Sequence, residues 1–132
     1  MTTYVNSDAS YELGVAALAY DSETLGREVV IVNAKCSTEA EFLALRMAMR
    51  AAAAAHLHQV TFRVDSTTLV RPAKVTKHRL LRLCQEIIDF TTNNEEWTVV
   101  HVPRRRNVQA NVLARRALRA HQPKPYERDR IL

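Results

Sequence analysis

Val60-Thr61-Phe62-Arg63-Val64-Asp65-Ser66 alternates apolar and polar side chains, then stops on an acid and a hydroxyl. That two-residue period reads as a strand with Val60, Phe62 and Val64 on its buried face. Ahead of it lies the longest helical pattern in the chain, opening after Ser37 or Thr38 and running to about His56. Ahead of that, Glu28 to Val32 alternates as another strand. Strand, helix and strand in succession predict a parallel crossover, and with it an α/β fold. The helix carries little polar surface: Leu45, Met47, Met49 and a run of alanines are interrupted only by Arg46 and Arg50. So many small side chains predict close packing against a sheet.

Upstream, residues 3–8 read as a strand and Val15 to Tyr20 is short and apolar. Asp21-Ser22-Glu23-Thr24-Leu25-Gly26 then supplies turn chemistry before 28–32, which is a hairpin signature. Downstream, Ser66 to Val70 starts a short helix that Pro72 ends or bends. From Thr76 the spacing of Leu80, Leu83/Cys84 and Ile87/Ile88 is helical to about Asn93-Asn94. Trp97 to Val102 is a strand closed by Pro103, with Trp97 as a core or edge anchor. Asn107 is placed to cap a last helix whose buried stripe is Ala110, Leu113, Ala114, Ala117 and Leu118. The predicted order is β-β-β-α-β-α-α-β-α. Residues 1–121 form one domain, and 122–132, with Pro123 and Pro125, a C-terminal tail.

A length of 132 residues, 47% of them hydrophobic and 25% charged, describes one ordinary globular domain. The N-terminus shows no signal-peptide pattern and no apolar run is long enough to span a bilayer, so the expected location is cytoplasmic, away from membranes. Cys36 and Cys84 form no C-x-x-C and read as reduced thiols, and the five histidines never meet cysteine or one another at zinc-ligand spacing. Phosphate-cradling glycine motifs are missing, since only Gly14 and Gly26 occur. The formal charge of +5 matters for its placement. One cluster holds Arg104, Arg105, Arg106, Arg115, Arg116 and Arg119, and another Arg71, Lys74, Lys77, His78, Arg79 and Arg82. Such clusters attract nucleic acid through its phosphates; a solvated helix face is the bland alternative.

Asp8, Glu41 and Asp65 fall at the ends of three different predicted elements. Carboxylates converging from separate elements suit hard divalent cations, which prefer oxygen ligands. Each acid also has an ordinary reading. Glu41 follows Thr38 by three residues, as in a capping box. Asp8 fits a turn, and Asp65-Ser66 a helix cap ahead of Thr67.

Four motifs together resemble ribonuclease H type 1, and more closely its short branch that lacks a basic protrusion. They are Asp8-Ala9-Ser10 at a strand end, Ala40-Glu41-Phe42-x-Ala44-Leu45 opening a helix, Asp65-Ser66-x-x-Leu69-Val70, and Val102-Pro103-Arg104-x-x-Asn107-x-x-Ala110-Asn111-x-Leu113-Ala114. The resemblance covers roughly residues 3–120. It implies an RNase H-like fold, a five-stranded mixed sheet with its first three strands antiparallel and helices on both faces. Enzymes of that family hydrolyse the RNA strand of RNA–DNA hybrids with two Mg²⁺ or Mn²⁺ ions. The resemblance makes Asp8 the carboxylate shared by both metals and Glu41 and Asp65 the ligands on either side. Asn111 falls at the family's fourth acidic position, where an amide oxygen coordinates without charge; reduced activity is the expectation. For nucleic acid it implies Ser10, Thr38, Ser66, Lys74, Lys77, Arg79, Arg104, Arg105, Arg106 and Asn107.

Two departures bear on that expectation. The family's glycine-rich turn, which meets RNA 2′-hydroxyls, is replaced by Tyr11-Glu12-Leu13-Gly14, which loosens the expected discrimination of RNA from DNA. The family's loop histidine has no clear counterpart, its loop holding the arginine triplet instead. The resulting expectation is a metal-dependent endoribonuclease on hybrids, with a non-catalytic nucleic-acid-binding module as the alternative and no required protein partner.

Overall fold

A computed structural model describes residues 1–121; the predicted tail, 122–132, lies outside the described residues. Five strands form one sheet: β1 (Thr3–Glu12), β2 (Val15–Ser22), β3 (Gly26–Asn33), β4 (Val60–Val64) and β5 (Trp97–His101). The spatial order is β3-β2-β1-β4-β5. The first three strands are antiparallel, and β4 and β5 run parallel to β1. Helices α1 (Ser37–Ala54), α2 (Leu81–Asn93) and α3 (Val108–His121) complete the fold.

The parallel crossover read from Val60–Val64 is present, and β4 pairs with β1 from Thr3↔Val60 to Asn6↔Arg63. Alternation sends Val5, Phe62, Val64 and Trp97 to the α1 side, where they meet Phe42, Leu45, Met49 and Ile87. Ala40, Ala44, Ala48 and Ala52 are fully buried at four-residue spacing, so α1 lies close on the sheet. On the opposite face Ala114 and Leu118 of α3 pack on Ala17 and Ala19. Trp97 is a core anchor: its ring packs edge-on to Phe62 and stacks with Phe90, and its Nε1 donates to the Leu57 carbonyl at 3.1 Å.

Several boundaries differ from the sequence reading. β1 continues to Glu12, so Tyr11 and Glu12 are strand residues and Leu13-Gly14 alone make the tight β1–β2 turn, at φ +49° and +83°. Asp8 reads as a strand end, yet Ala9 and Tyr11 go on alternating with Ser10 and Glu12 and pairing with β2. Residues 67–80 form three short 3₁₀ turns, Thr67–Val70, Pro72–Lys74 and His78–Leu80, and α2 opens only at Leu81. Lys77 and Arg79 therefore flank and occupy a 3₁₀ turn instead of starting a helix. α1 is capped by Cys36, whose Sγ accepts from the Glu39 N–H at 3.5 Å, while Glu39 Oε1 accepts from the Lys35 N–H at 3.0 Å. Among the described residues no helix is long and apolar enough to cross a membrane.

Candidate functional site

The β1–β4 ladder ends at Asn6–Arg63, and beyond it the two strands part. Openings of this kind, at the carboxyl end of parallel strands where chain direction switches, are where α/β sheets hold ligands. Asp8 lies just past the last paired residue of β1, on the α3 face. Asp65 follows β4 directly, and Glu41 enters from the second turn of α1. Carboxylate oxygens of Asp8, Glu41 and Asp65 all lie within 4.8 Å of one another.

None of the ordinary readings of these acids holds. Asp8 sits inside a strand, paired with Ala19, and not in a turn. The capping role that Glu41 could have filled belongs to Glu39, two residues earlier, since Cys36 is the cap. Ser66 makes no capping bond to the Thr67–Val70 turn; its side chain instead acts on the Glu41 carboxyl, favouring the ionised form.

The electrostatics follow from crowding. Burial, with the Asp8 and Asp65 charges behind it, pushes the Glu41 carboxyl up to about 7, against the pull of Ser66 and Arg104. Burial also raises Asp8, opposed chiefly by the hydrogen bond from Asn111. Asp8 Oδ1 accepts the Ala9 N–H at 2.9 Å, and Asp8 Oδ2 accepts Asn111 Nδ2 at 2.7 Å. The Asp65 side chain is 8% exposed; its Oδ2 has no hydrogen bond, only an ion pair with Arg104 Nε at 3.5 Å. A buried carboxylate oxygen with spare lone pairs is costly without a cation to meet it. Hard oxygen donors, clustered and short of partners, fit a divalent cation of the Mg²⁺ or Mn²⁺ kind.

The remaining candidates divide. Thr38, Lys74 and Lys77 line a groove of about 730 Å³ together with Thr67, Thr68, Arg71 and His101, over a floor that includes Val70, Val75 and Leu80. Thr38 and Thr67 belong to the segments that carry Glu41 and Asp65, so groove and acids are neighbours. Arg79 is exposed but does not line it. Ser10 faces a separate small cleft with Arg115 and Arg119. Arg104, Arg105 and Arg106 form an exposed 3₁₀ turn, of which Arg104 reaches Asp65. Asn107 was expected to cap α3, but its Nδ2 donates instead to the Ser7 carbonyl at 2.8 Å, and its buried Oδ1 has no partner. It ties the start of α3 to β1 beside Asp8. Sequence reasoning gave no groove role to Thr67, Thr68, Arg71 or His101; Arg71 alone carried a signal, as part of a basic cluster.

Residues 16–117 match the reverse transcriptase-like family. The chain belongs to that family. Among solved structures, RNase H1 from the halophilic archaeon Halobacterium salinarum superposes with a TM-score of 0.76 at 23% identity, covering 91% of this chain and 99% of that one. The N-terminal RNase H domain of rv2228c from Mycobacterium tuberculosis gives 0.77 at 18% identity, covering 90% and 94%. LC11-RNase H1 in complex with an RNA/DNA hybrid gives 0.71 at 18% identity, covering 86% and 94%. At such identities the likeness shows the fold, which is that of RNase H. Among curated proteins no sequence matches. This reverse transcriptase-like chain thus bears out the resemblance to the ribonuclease H type 1 family, with the mixed five-stranded sheet it implied.

Proposed function

We propose that this reverse transcriptase-like chain is a metal-dependent nuclease of the ribonuclease H kind, cutting the RNA strand of RNA–DNA hybrids. One observation carries the reading: three carboxylates from β1, α1 and the end of β4 each offer an oxygen, and these oxygens lie within 4.8 Å of one another. A structure of the same fold, LC11-RNase H1, holds an RNA/DNA hybrid, which supports the substrate class.

Asp8, Glu41 and Asp65 would hold divalent Mg²⁺ or Mn²⁺. When bound, such ions stabilise charge on the reacting phosphate and activate water for attack. Glu41 must lose its proton to serve as a ligand, so metal binding releases protons below about pH 7. Ser66 orients the Glu41 carboxylate, and Asn111 that of Asp8. The Thr38–Lys74–Lys77–His101 groove takes the sugar–phosphate backbone, its threonines and cations meeting phosphate oxygens. Arg104, exposed beside Asp65, is free to swing to phosphate when cations neutralise the acids.

The test is cleavage of a labelled hybrid in Mg²⁺ and in Mn²⁺ at low salt, beside double-stranded RNA and DNA. Metal-dependent cutting of the hybrid, lost in Asp8→Asn and accelerated in Asn111→Asp, is the expected result. No cutting with either ion refutes the assignment. A second reading, a binding module without catalysis, draws on Asn111 and Arg104, which already blunt the acids' charge. It requires hybrid binding that persists in Asp65→Asn and in EDTA.

A further inference from the structure

The two edges of the sheet are unlike. β5 (Trp97–His101) is five residues long and closes on Pro103, features that keep an edge from being extended. β3 (Gly26–Asn33) is eight residues long and pairs with β2 at every position from Val15↔Asn33 to Ser22↔Gly26, with no bulge. It carries no lysine and no proline, and its centre is Val29-Val30-Ile31-Val32. Every second residue of such a strand turns its N–H and C=O outward, and among the described residues no strand pairs with them.

Both faces of this edge are apolar. Through Ala19↔Val29 and Ala17↔Ile31, Val29 and Ile31 lie on the α3 face, each 37% exposed. Val30 and Val32 alternate to the α1 face, where a cleft of about 400 Å³ opens beside Leu18, Val30, Leu43 and Met47. The strand's two charges are already engaged. Arg27 Nε meets Asp21 Oδ1 at 2.8 Å, and Glu28 Oε2 accepts from the Tyr20 hydroxyl at 2.9 Å. What remains is an uninterrupted, neutral, apolar ladder.

We propose that β3 pairs antiparallel with β3 of a second copy of this chain, joining two five-stranded sheets into one. A two-fold axis perpendicular to the sheet keeps each face on its own side, so it must pass through a residue. Centred on Val30, it sets Val29 against Ile31, Glu28 against Val32 and Arg27 against Asn33 of the second copy, with no like charges opposed. Centred on Ile31, it would set Arg27 against Lys35; centred on Val29, Arg27 against Ile31. The Val30 register is the one that fits. Each chain has a single β3, so pairing closes at two copies. The groove beside His101 of β5 lies toward the opposite edge, and both acidic clusters stay open. With one strand from each chain, the dimer is concentration-dependent rather than obligate, and it stands apart from any chemistry at the acids.

Sedimentation equilibrium of the full chain from about 1 μM to about 1 mM tests this. A monomer–dimer equilibrium with nothing larger is expected. Ile31→Lys and Val29→Lys, both at exposed positions, should each abolish the dimer while leaving the melting temperature of dilute protein unchanged. Val100→Lys, on the other edge, should leave it intact. Val30→Cys should cross-link to itself under mild oxidation, because facing Cα atoms lie about 4.5–5.5 Å apart, within disulfide reach. The unaltered chain, with only Cys36 and Cys84, should not. A monomer at every concentration, a dimer that survives Ile31→Lys, or a Val30→Cys dimer with no cross-link overturns the proposal. Growth beyond two copies does so as well.

Discussion

On the α1 side of the sheet, Val5, Phe62, Val64 and Trp97 interlock with Phe42, Leu45, Met49 and Ile87, side chains with full apolar bulk. On the α3 side β2 offers Ala17 and Ala19 to Ala114 and Leu118, with Asp8 of β1 beside them. Past the reach of α3 that face is open: Tyr4 is exposed under the Arg63 guanidinium, 4.0 Å from its ring centre, and Val100 is half-exposed. Large side chains on one face hold the strands in register. Small ones on the other let a helix approach closely enough for Asn111 to touch Asp8. The division teaches that the bulk of the core lies on one face, while Asp8 and its Asn111 contact lie on the other and Glu41 reaches the site from α1.

The largest expected effect comes from the bulky face. Phe42 is fully buried, and Phe42→Ala should cost about 3–5 kcal/mol in urea unfolding, with metal binding retained at temperatures where the fold survives. A cost below about 1 kcal/mol would mean that this face is less tightly packed than its burial implies. Next is the small face. Ala114→Leu adds volume against Ala17 and Ala19 and should cost about 1–3 kcal/mol, while also displacing Asn111 one turn earlier. Unchanged Mn²⁺ affinity in that variant would break the link between helix approach and the site.

The acids give a pH effect of definite sign. Glu41 is raised from its ordinary 4.5 to about 7, so the metal-free folded state holds a proton that the unfolded chain has released. Its contribution to stability is full below about 4.5 and is lost as pH rises through about 7. Melting temperature in EDTA should fall over that window, Glu41→Gln should flatten the fall, and Mn²⁺ should oppose it by favouring the ionised form. A metal-free melting temperature that climbs across the window in the unaltered chain but not in Glu41→Gln would contradict the sign. The smallest effect belongs to the groove. Lys74→Ala and Lys77→Ala should each lower the slope of log affinity against log salt for a hybrid by about one, with Arg79→Ala changing it less because it lies off the groove.

How much of this was legible depends on the kind of signal. Alternation through Val60, Phe62 and Val64 after a long helix was enough for the crossover, because a period of two survives in any context. β1 was cut short because an acid reads as a strand end, although Ala9 and Tyr11 continue the alternation with Ser10 and Glu12. Glu41 carried two readings that only coordinates separate, since cysteine is a rare helix cap and Cys36 gave no warning. The groove was invisible because turns at 67–80 and His101 meet only through the parallel pairing of β4 with β5. Asn107 reads as a cap for α3, but the Oδ1 a cap would use has no partner, and its Nδ2 ties the helix start to the Ser7 carbonyl instead.

The single tryptophan has a practical consequence. Its indole is wedged between Phe62 and Phe90 at the amino end of β5, while the acids lie toward the strand's other end. Intrinsic fluorescence will therefore register loss of the whole fold and stay silent while ions load, so one optical channel is a clean unfolding gauge during any titration.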